Sequence, residues 1–136
     1  MNPSAAPRAK RLTRAAFICF ALTLFTATHW PKLVVPNVVP RSDLWIHASA
    51  FITWTSLLIA CAYFTTRALT TRNILFCVTI AIAYAGFDEL TQAIPILHRT
   101  CALDDFGADS TGAVLAGAFA LILAHTRRPA PSSPGH

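Results

Sequence analysis

The chain has 136 residues, enough for one domain, and 54% of them are hydrophobic while only 12% are charged. Soluble domains carry about 25% charged residues, and a core this small cannot bury four long apolar runs, so the composition argues for a membrane protein. The net charge of +5 would suit nucleic-acid binding, but the basic residues lie in tails and connections. No nucleic-acid partner is therefore predicted.

The first part of the chain predicts a tail, one helix and a loop. Residues 1–14 are rich in Pro, Ala and basic side chains and are predicted to form a disordered basic tail. Ala15–Trp30 is an apolar run that stops at Pro31. A cleaved signal peptide is the alternative, but no good small-x-small cleavage site follows, and a terminal Trp is typical of an interfacial anchor. A retained helix is favoured, followed by a proline-rich apolar loop at residues 31–42.

The remainder predicts three more helices joined by polar connections at residues 65–73 and 95–104, with a second disordered tail at 127–136. Each apolar run approaches the roughly 20 residues that cross the hydrocarbon core. Short links predict antiparallel neighbours. The predicted fold class is an all-α membrane protein, a single four-helix transmembrane up-down bundle over residues 15–126. Its later helices are predicted at Asp43–Phe64, Ile74–Ile94 and Asp105–His125.

The basic residues predict the orientation. Only Lys32, Arg41 and Arg99 fall on one side of such a bundle. By the positive-inside rule, both termini are then cytoplasmic in a multi-pass protein of the cell membrane, and all the acidic residues lie near the outer helix ends. The cytoplasmic side would hold the remaining Lys and Arg residues: Arg8, Lys10, Arg11, Arg14, Arg67, Arg72, Arg127 and Arg128.

Polar residues set into the apolar runs predict a cluster at the outer ends of the helices. Three helices carry a polar pair spaced by four residues, which places both side chains on one face. Because carboxylates at membrane depth are costly, these faces are expected to point inward and meet, with Arg99 as a cationic partner. The predicted cluster comprises Asp43, His47, Asp88, Glu89, Gln92, Arg99, Asp105 and Asp109.

Small residues predict close packing of the last helix. Gly112 and Ala116, and beside them Ala113 and Gly117, lie four residues apart, the spacing that lets helices approach closely in membranes. The last helix is therefore expected to be the central one. Three cysteines inside apolar runs, at positions 19, 61 and 77, are expected to act as small packing residues.

In order and spacing, these residues resemble the VanZ-like membrane proteins, small multi-helix proteins named for an accessory factor in teicoplanin (glycopeptide) resistance. The family usually has Lys at the position of Leu44 and Asn at that of Asp109, so this cluster is more acidic than the pattern. The resemblance implies an envelope role in tolerance of cell-wall-directed antibiotics, without specifying a biochemical activity. It covers roughly residues 40–118 and rests on Asp43, His47, Glu89, Gln92, Arg99, Asp105 and the run from Gly112 to Gly117.

Three functions remain open for the cluster. The favoured one is binding of a lipid headgroup, a lipid-linked cell-wall intermediate, a drug or a membrane partner protein. The alternative is a membrane-embedded enzyme that uses the carboxylates and histidine for acid–base chemistry on a lipid-linked phosphate. The third is a structural network that fixes helix register. No cofactor is predicted, although Asp, Glu and His are compatible with a divalent metal.

Overall fold

The computed structural model describes residues 5–30, 41–94 and 102–127, and all regular structure within these ranges is helical. Each helix is long and apolar enough to cross a membrane, which confirms the predicted all-α class and supports a multi-pass membrane protein. The four helices are α1 (Ala5–His29), α2 (Ser42–Cys61), α3 (Thr71–Gln92) and α4 (Leu103–Thr126).

Helix α1 begins ten residues earlier than predicted, at Ala5 rather than Ala15, so most of the segment assigned to a disordered tail is helical. Ala, Arg and Lys are strong helix formers, and the apolar run that follows continues the same helix. The extension also has tertiary contacts. The Arg14 guanidinium lies 4.7 Å from the centre of the Tyr63 ring, and Cys61 Sγ lies 3.7 Å from the Thr13 carbonyl oxygen.

The ends of α2 and α3 follow from local backbone chemistry. Helix α2 stops at Cys61 rather than at the predicted Phe64. The next residue, Ala62, adopts a left-handed conformation (φ 46°), and its backbone N–H donates a hydrogen bond to the Ile59 carbonyl oxygen, which ends the helix. Helix α3 begins at Thr71, and its first turn is capped by the Thr70 hydroxyl, which accepts a hydrogen bond from a backbone N–H.

A buried amide connects these two helix ends. Asn73 is fully buried and donates hydrogen bonds to the carbonyl oxygens of Ile59, at 3.2 Å, and Ala68, at 2.9 Å. Both donors of this neutral side chain are therefore satisfied, as burial in an apolar interior requires.

Close backbone approach packs α4 tightly against its neighbours, as the small residues predicted, but α2 rather than α4 is the helix with substantial contacts to all three others. Helix α4 makes its most extensive contacts with α2 and α3. A Cβ atom added at Gly112 would overlap the carbonyl oxygen of Ala48 in α2, and one at Gly117 would lie 2.5 Å from Val78 Cγ2 in α3. At Gly112 the obstacle is backbone, so a side chain there requires the helices to move apart, whereas at Gly117 the Val78 side chain must shift.

Helix α1 is peripheral. Only 6% of its best apolar window is buried, against 33% for each of the other three helices. It is held by aromatic contacts: the Phe17 ring lies 5.3 Å from that of Trp54, which stacks at 5.2 Å on Tyr84. Trp54 thus joins α1 to the aromatic side chains that pack between α2 and α3. Large apolar side chains on all four helices are exposed, which suggests contact with lipid.

The packing at Gly112 can be tested by adding one methyl group. We expect Gly112→Ala to lower the unfolding free energy in detergent by about 1–3 kcal/mol, because the new Cβ must displace the backbone of α2. Gly107→Ala in the same helix is the matched control, since its Cβ would meet nothing within 4 Å. It should be neutral or stabilising by up to about 1 kcal/mol. Equal thermal stability of the two variants would contradict the close α2–α4 approach.

Candidate functional site

Polar side chains from all four helices meet in one region. It is formed by the C-terminal parts of α1 and α3 and the N-terminal parts of α2 and α4. We call these residues the polar cluster: Thr28, His29, His47, Asp88, Glu89, Thr91, Gln92, Asp105 and Asp109.

One half of the polar cluster surrounds Asp88, whose side chain is only 1% exposed. The Thr28 hydroxyl donates to Asp88 Oδ1 at 3.0 Å, and Gln92 Nε2 donates to Oδ2 at 2.8 Å. His29 Nδ1 lies 3.7 Å from Oδ1, while its Nε2 lies 2.9 Å from the Thr91 hydroxyl. Both carboxylate oxygens are therefore hydrogen-bonded, which offsets the free-energy cost of burying them.

The other half surrounds His47, which lies between two carboxylates of α4. Its Nδ1 is 3.0 Å from Asp109 Oδ1, and its Nε2 is 3.8 Å from Asp105 Oδ2. The histidine and Asp105 are partly exposed, whereas Asp109 is fully buried. The ring is thus held in one orientation from both sides.

Glu89 lies between the two halves, with a carboxylate oxygen within 4.8 Å of His47 and Asp109, and also caps the start of α4. Its Oε2 accepts a hydrogen bond from the backbone N–H of Ala102 at 2.9 Å, and its Oε1 lies 3.5 Å from Gln92 Nε2. Ala102 precedes the first turn of α4 and has no side-chain cap of its own. A carboxylate from α3 therefore satisfies a free amide at the N-terminus of α4, where the helix dipole also favours negative charge.

Among the described residues, one buried atom of the polar cluster has no hydrogen-bond partner, and the cluster carboxylates outnumber their basic partners. Asp109 Oδ2 has no hydrogen-bond partner among the described residues. Within those residues, the only ion pairs of the cluster carboxylates are with His29 and His47. Arg41 pairs instead with Asp104, at the exposed surface.

The structure brings together six of the predicted residues and places one elsewhere. Asp43 lies in the first turn of α2, as expected, but it is exposed and has no hydrogen-bond or ion-pair partner among the described residues. Arg99 lies outside the described residues, so its pairing with the carboxylates stays a prediction. The residues that meet are His47, Asp88, Glu89, Gln92, Asp105 and Asp109.

Sequence reasoning missed the three hydroxyl and imidazole groups that complete the Asp88 half. Thr28 and His29 end the first apolar run, where the sequence analysis considered only a cleavage site and an interfacial anchor. Thr91 lies between the motif positions of α3. The available signal was a Thr-His pair at the end of an apolar run, on the side of the membrane where the acidic residues were expected.

An open groove of about 440 Å³ runs between α2 and α4 beside the polar cluster. Its lining includes the exposed Arg41–Asp104 pair, the exposed ring of Trp45 and the bare backbone of Gly107. The groove is therefore mainly apolar with charged groups at its surface, a combination suited to an amphiphilic molecule.

Comparison of the chain with protein-family models, with curated proteins and with solved structures finds no match in any of the three. The function is therefore argued from the residues and their geometry. The polar cluster can bind cations through its carboxylates and exchange protons through His47, whereas the adjoining groove offers Arg41 to anions.

Removal of a buried carboxylate should be far more damaging than removal of an exposed one. We expect Asp88→Ala to lower the unfolding free energy in detergent by about 1–3 kcal/mol or more, because Thr28 and Gln92 lose their acceptors. Asp43→Ala is the matched control and should change it by less than about 0.5 kcal/mol, since Asp43 is exposed. Equal losses would contradict the burial of Asp88.

Proposed function

We propose that this chain is an up-down four-helix membrane protein of the cell envelope that binds the anionic headgroup of a lipid or lipid-linked molecule without turnover. The groove between α2 and α4 is the observation that carries the proposal. Its apolar lining suits a lipid chain, and the guanidinium of Arg41 suits a phosphate, which it can bind through two parallel hydrogen bonds.

The Arg41–Asp104 ion pair leaves Arg41 available to a ligand. The two side chains are 63% and 68% exposed, so solvent screens the attraction between them. Exposed ion pairs contribute about 0–1 kcal/mol, and a phosphate can therefore replace the carboxylate at little cost. Asp104 would then be free to attract a cationic group on the same headgroup.

The envelope role rests on the VanZ-like resemblance of residues 40–118. We extend the proposal to tolerance of teicoplanin and related glycopeptides, which are cell-wall-directed antibiotics. Such a role requires the groove on the outer side of the membrane. The distribution of Lys and Arg supports this orientation, with both termini cytoplasmic.

Reporter fusions test the orientation. We expect a green fluorescent protein fused after residue 136 to fluoresce, and an alkaline phosphatase inserted in the 95–101 connection to be active. The first reporter functions in the cytoplasm and the second requires export, so each reports one side of the membrane. The reverse pattern would place the groove on the cytoplasmic side and overturn the envelope role.

Lipid binding is tested by titrating delipidated protein with phosphatidylglycerol, a polyprenyl phosphate and teicoplanin, in separate native mass spectrometry experiments. We expect Arg41→Ala to weaken binding of the phosphate ligand about 10- to 150-fold, because a charged hydrogen bond contributes about 1.5–3 kcal/mol. Gly107→Leu should also weaken it by filling the groove without altering charge.

Arg72→Ala is the matched control for Arg41→Ala. Arg72 also lines a pocket, but one of only about 80 Å³, too small for a headgroup and its chain. Its substitution should leave binding unchanged. Equal weakening by the two arginine variants would show that binding follows net charge rather than the groove, and would reject the proposal.

The membrane-embedded enzyme is retained as a second candidate because of the His47–Asp109 pair. A buried carboxylate that orients a histidine is a frequent arrangement in general acid–base catalysis. Incubation of the protein with a polyprenyl diphosphate distinguishes the two functions. Release of inorganic phosphate that His47→Gln abolishes would favour the enzyme, whereas unchanged ligand would favour binding without turnover.

A further inference from the structure

From the geometry of the polar cluster we infer that His47, Glu89 and Asp109 bind a divalent metal ion of the zinc and manganese class. A ring nitrogen of His47 and one carboxylate oxygen from each of the other two residues lie within 4.8 Å of one another. An ion with bonds of about 2.1 Å holds its ligand atoms about 3–4.2 Å apart. Small side-chain rotations are therefore sufficient to form the site.

The unpartnered oxygen of Asp109 is a second observation that favours a cation at this place. Asp109 is fully buried, its Oδ1 pairs with His47, and its Oδ2 has no hydrogen-bond donor among the described residues. Asp88, an equally buried carboxylate, has donors on both oxygens. An orphaned carboxylate oxygen carries a substantial desolvation cost, which coordination to an ion would remove.

The local charge also favours a cation. Three carboxylates of the cluster are almost completely buried, and the fourth, Asp105, is mostly buried. Within the described residues, their ion-pair partners are two histidines, and neither Lys nor Arg contacts them. A doubly charged ion would neutralise two carboxylates at once, in a segment where uncompensated charge is costly.

The surrounding hydrogen bonds would hold the ligands in place. If His47 uses Nδ1 to bind the ion, its Nε2 faces Asp105 at 3.8 Å, and a ligating histidine commonly presents its other ring nitrogen to a carboxylate. The second ligand, Glu89, is already anchored by the Ala102 N–H and by Gln92. These outer contacts orient two of the three ligands before an ion arrives.

The ligand types select the class of metal. Imidazole nitrogen suits zinc and other transition metals, whereas magnesium and calcium prefer sites made entirely of oxygen. One nitrogen and two carboxylates therefore favour Zn²⁺ or Mn²⁺. Three protein ligands leave at least one coordination position open for water or another ligand.

This inference stands apart from headgroup binding, because its test measures the metal without any lipid ligand. Protein purified in detergent would be stripped with EDTA, dialysed and titrated with Zn²⁺, Mn²⁺ and Mg²⁺ by calorimetry, with bound metal quantified by mass spectrometry. We expect about one Zn²⁺ or Mn²⁺ per chain, and much weaker Mg²⁺ binding.

Variants locate the ion. Glu89→Gln and Asp109→Asn should abolish binding, since each removes a charged ligand. Asp105→Asn should weaken binding about 10- to 100-fold, the usual effect of losing an outer-shell partner. Asp43→Asn is the control: it removes a charge four residues before His47 in α2, and it should retain the ion, because Asp43 is exposed and has no hydrogen-bond or ion-pair partner among the described residues.

Three outcomes would reject the inference, and two of them need only the wild-type protein. Absence of stoichiometric Zn²⁺ or Mn²⁺ binding to the stripped wild type would reject it, and so would equal loss of the ion in Asp43→Asn and Glu89→Gln. Co²⁺ gives a readout that needs no variant. Bound at the site, it should show the intense visible bands of a four- or five-coordinate ion, and a spectrum identical to that of Co²⁺ in detergent buffer would reject the site.

Discussion

Burial of carboxylates among apolar helices is the constraint on which the rest of the structure depends. Asp88, Glu89 and Asp109 are each at most 2% exposed, within helices suited to a membrane. Charged groups at such positions are costly unless hydrogen-bond donors and positive charge lie close to them. This requirement accounts for the meeting of polar groups from all four helices at one place, although α1 is otherwise peripheral.

Close packing and the polar cluster depend on each other. Ala48, which follows His47 in α2, is the residue whose carbonyl excludes a side chain at Gly112 in α4. Gly112 lies one turn after Asp109, the hydrogen-bond partner of His47. The absent side chain thus allows the helices to approach to the distance that the hydrogen bond requires. The small residues of α4 therefore position the site as well as stabilise the core.

How much of the structure could be predicted depends on whether a feature is determined by residues close together on the chain or far apart. Helix number and type depend on local length and apolarity, so all four helices were predicted, while the start of α1 was not. The i, i+4 rule correctly paired Asp88 with Gln92. It failed for Asp43 and His47, because Asp43 lies in the first turn, where the side chain can remain exposed. The i, i+4 spacing shows that two residues share a helix face, but it does not show how deeply each side chain is buried.

The contribution of α1 could not be predicted for a related reason. Thr28 and His29 are neighbours on the chain, so they carry no helical periodicity of their own. Their role depends on the placement of α1 against α3, which is a tertiary property. Likewise, the capping of α4 by Glu89 joins residues thirteen positions apart through the 95–101 connection, and no local pattern specifies such a contact.

The buried side chain of Asn73 can be compared with the polar cluster to judge whether the cluster serves only to fix helix register. Asn73 joins the end of α2 to the start of α3 with a neutral amide, and both of its donors are satisfied by backbone carbonyls. Helix register can therefore be fixed here without buried charge. The polar cluster instead carries four carboxylates, one of which has an orphaned oxygen beside a histidine. Among the described residues, this charge exceeds what holding helices together requires, which is the pattern that the proposed cation would balance.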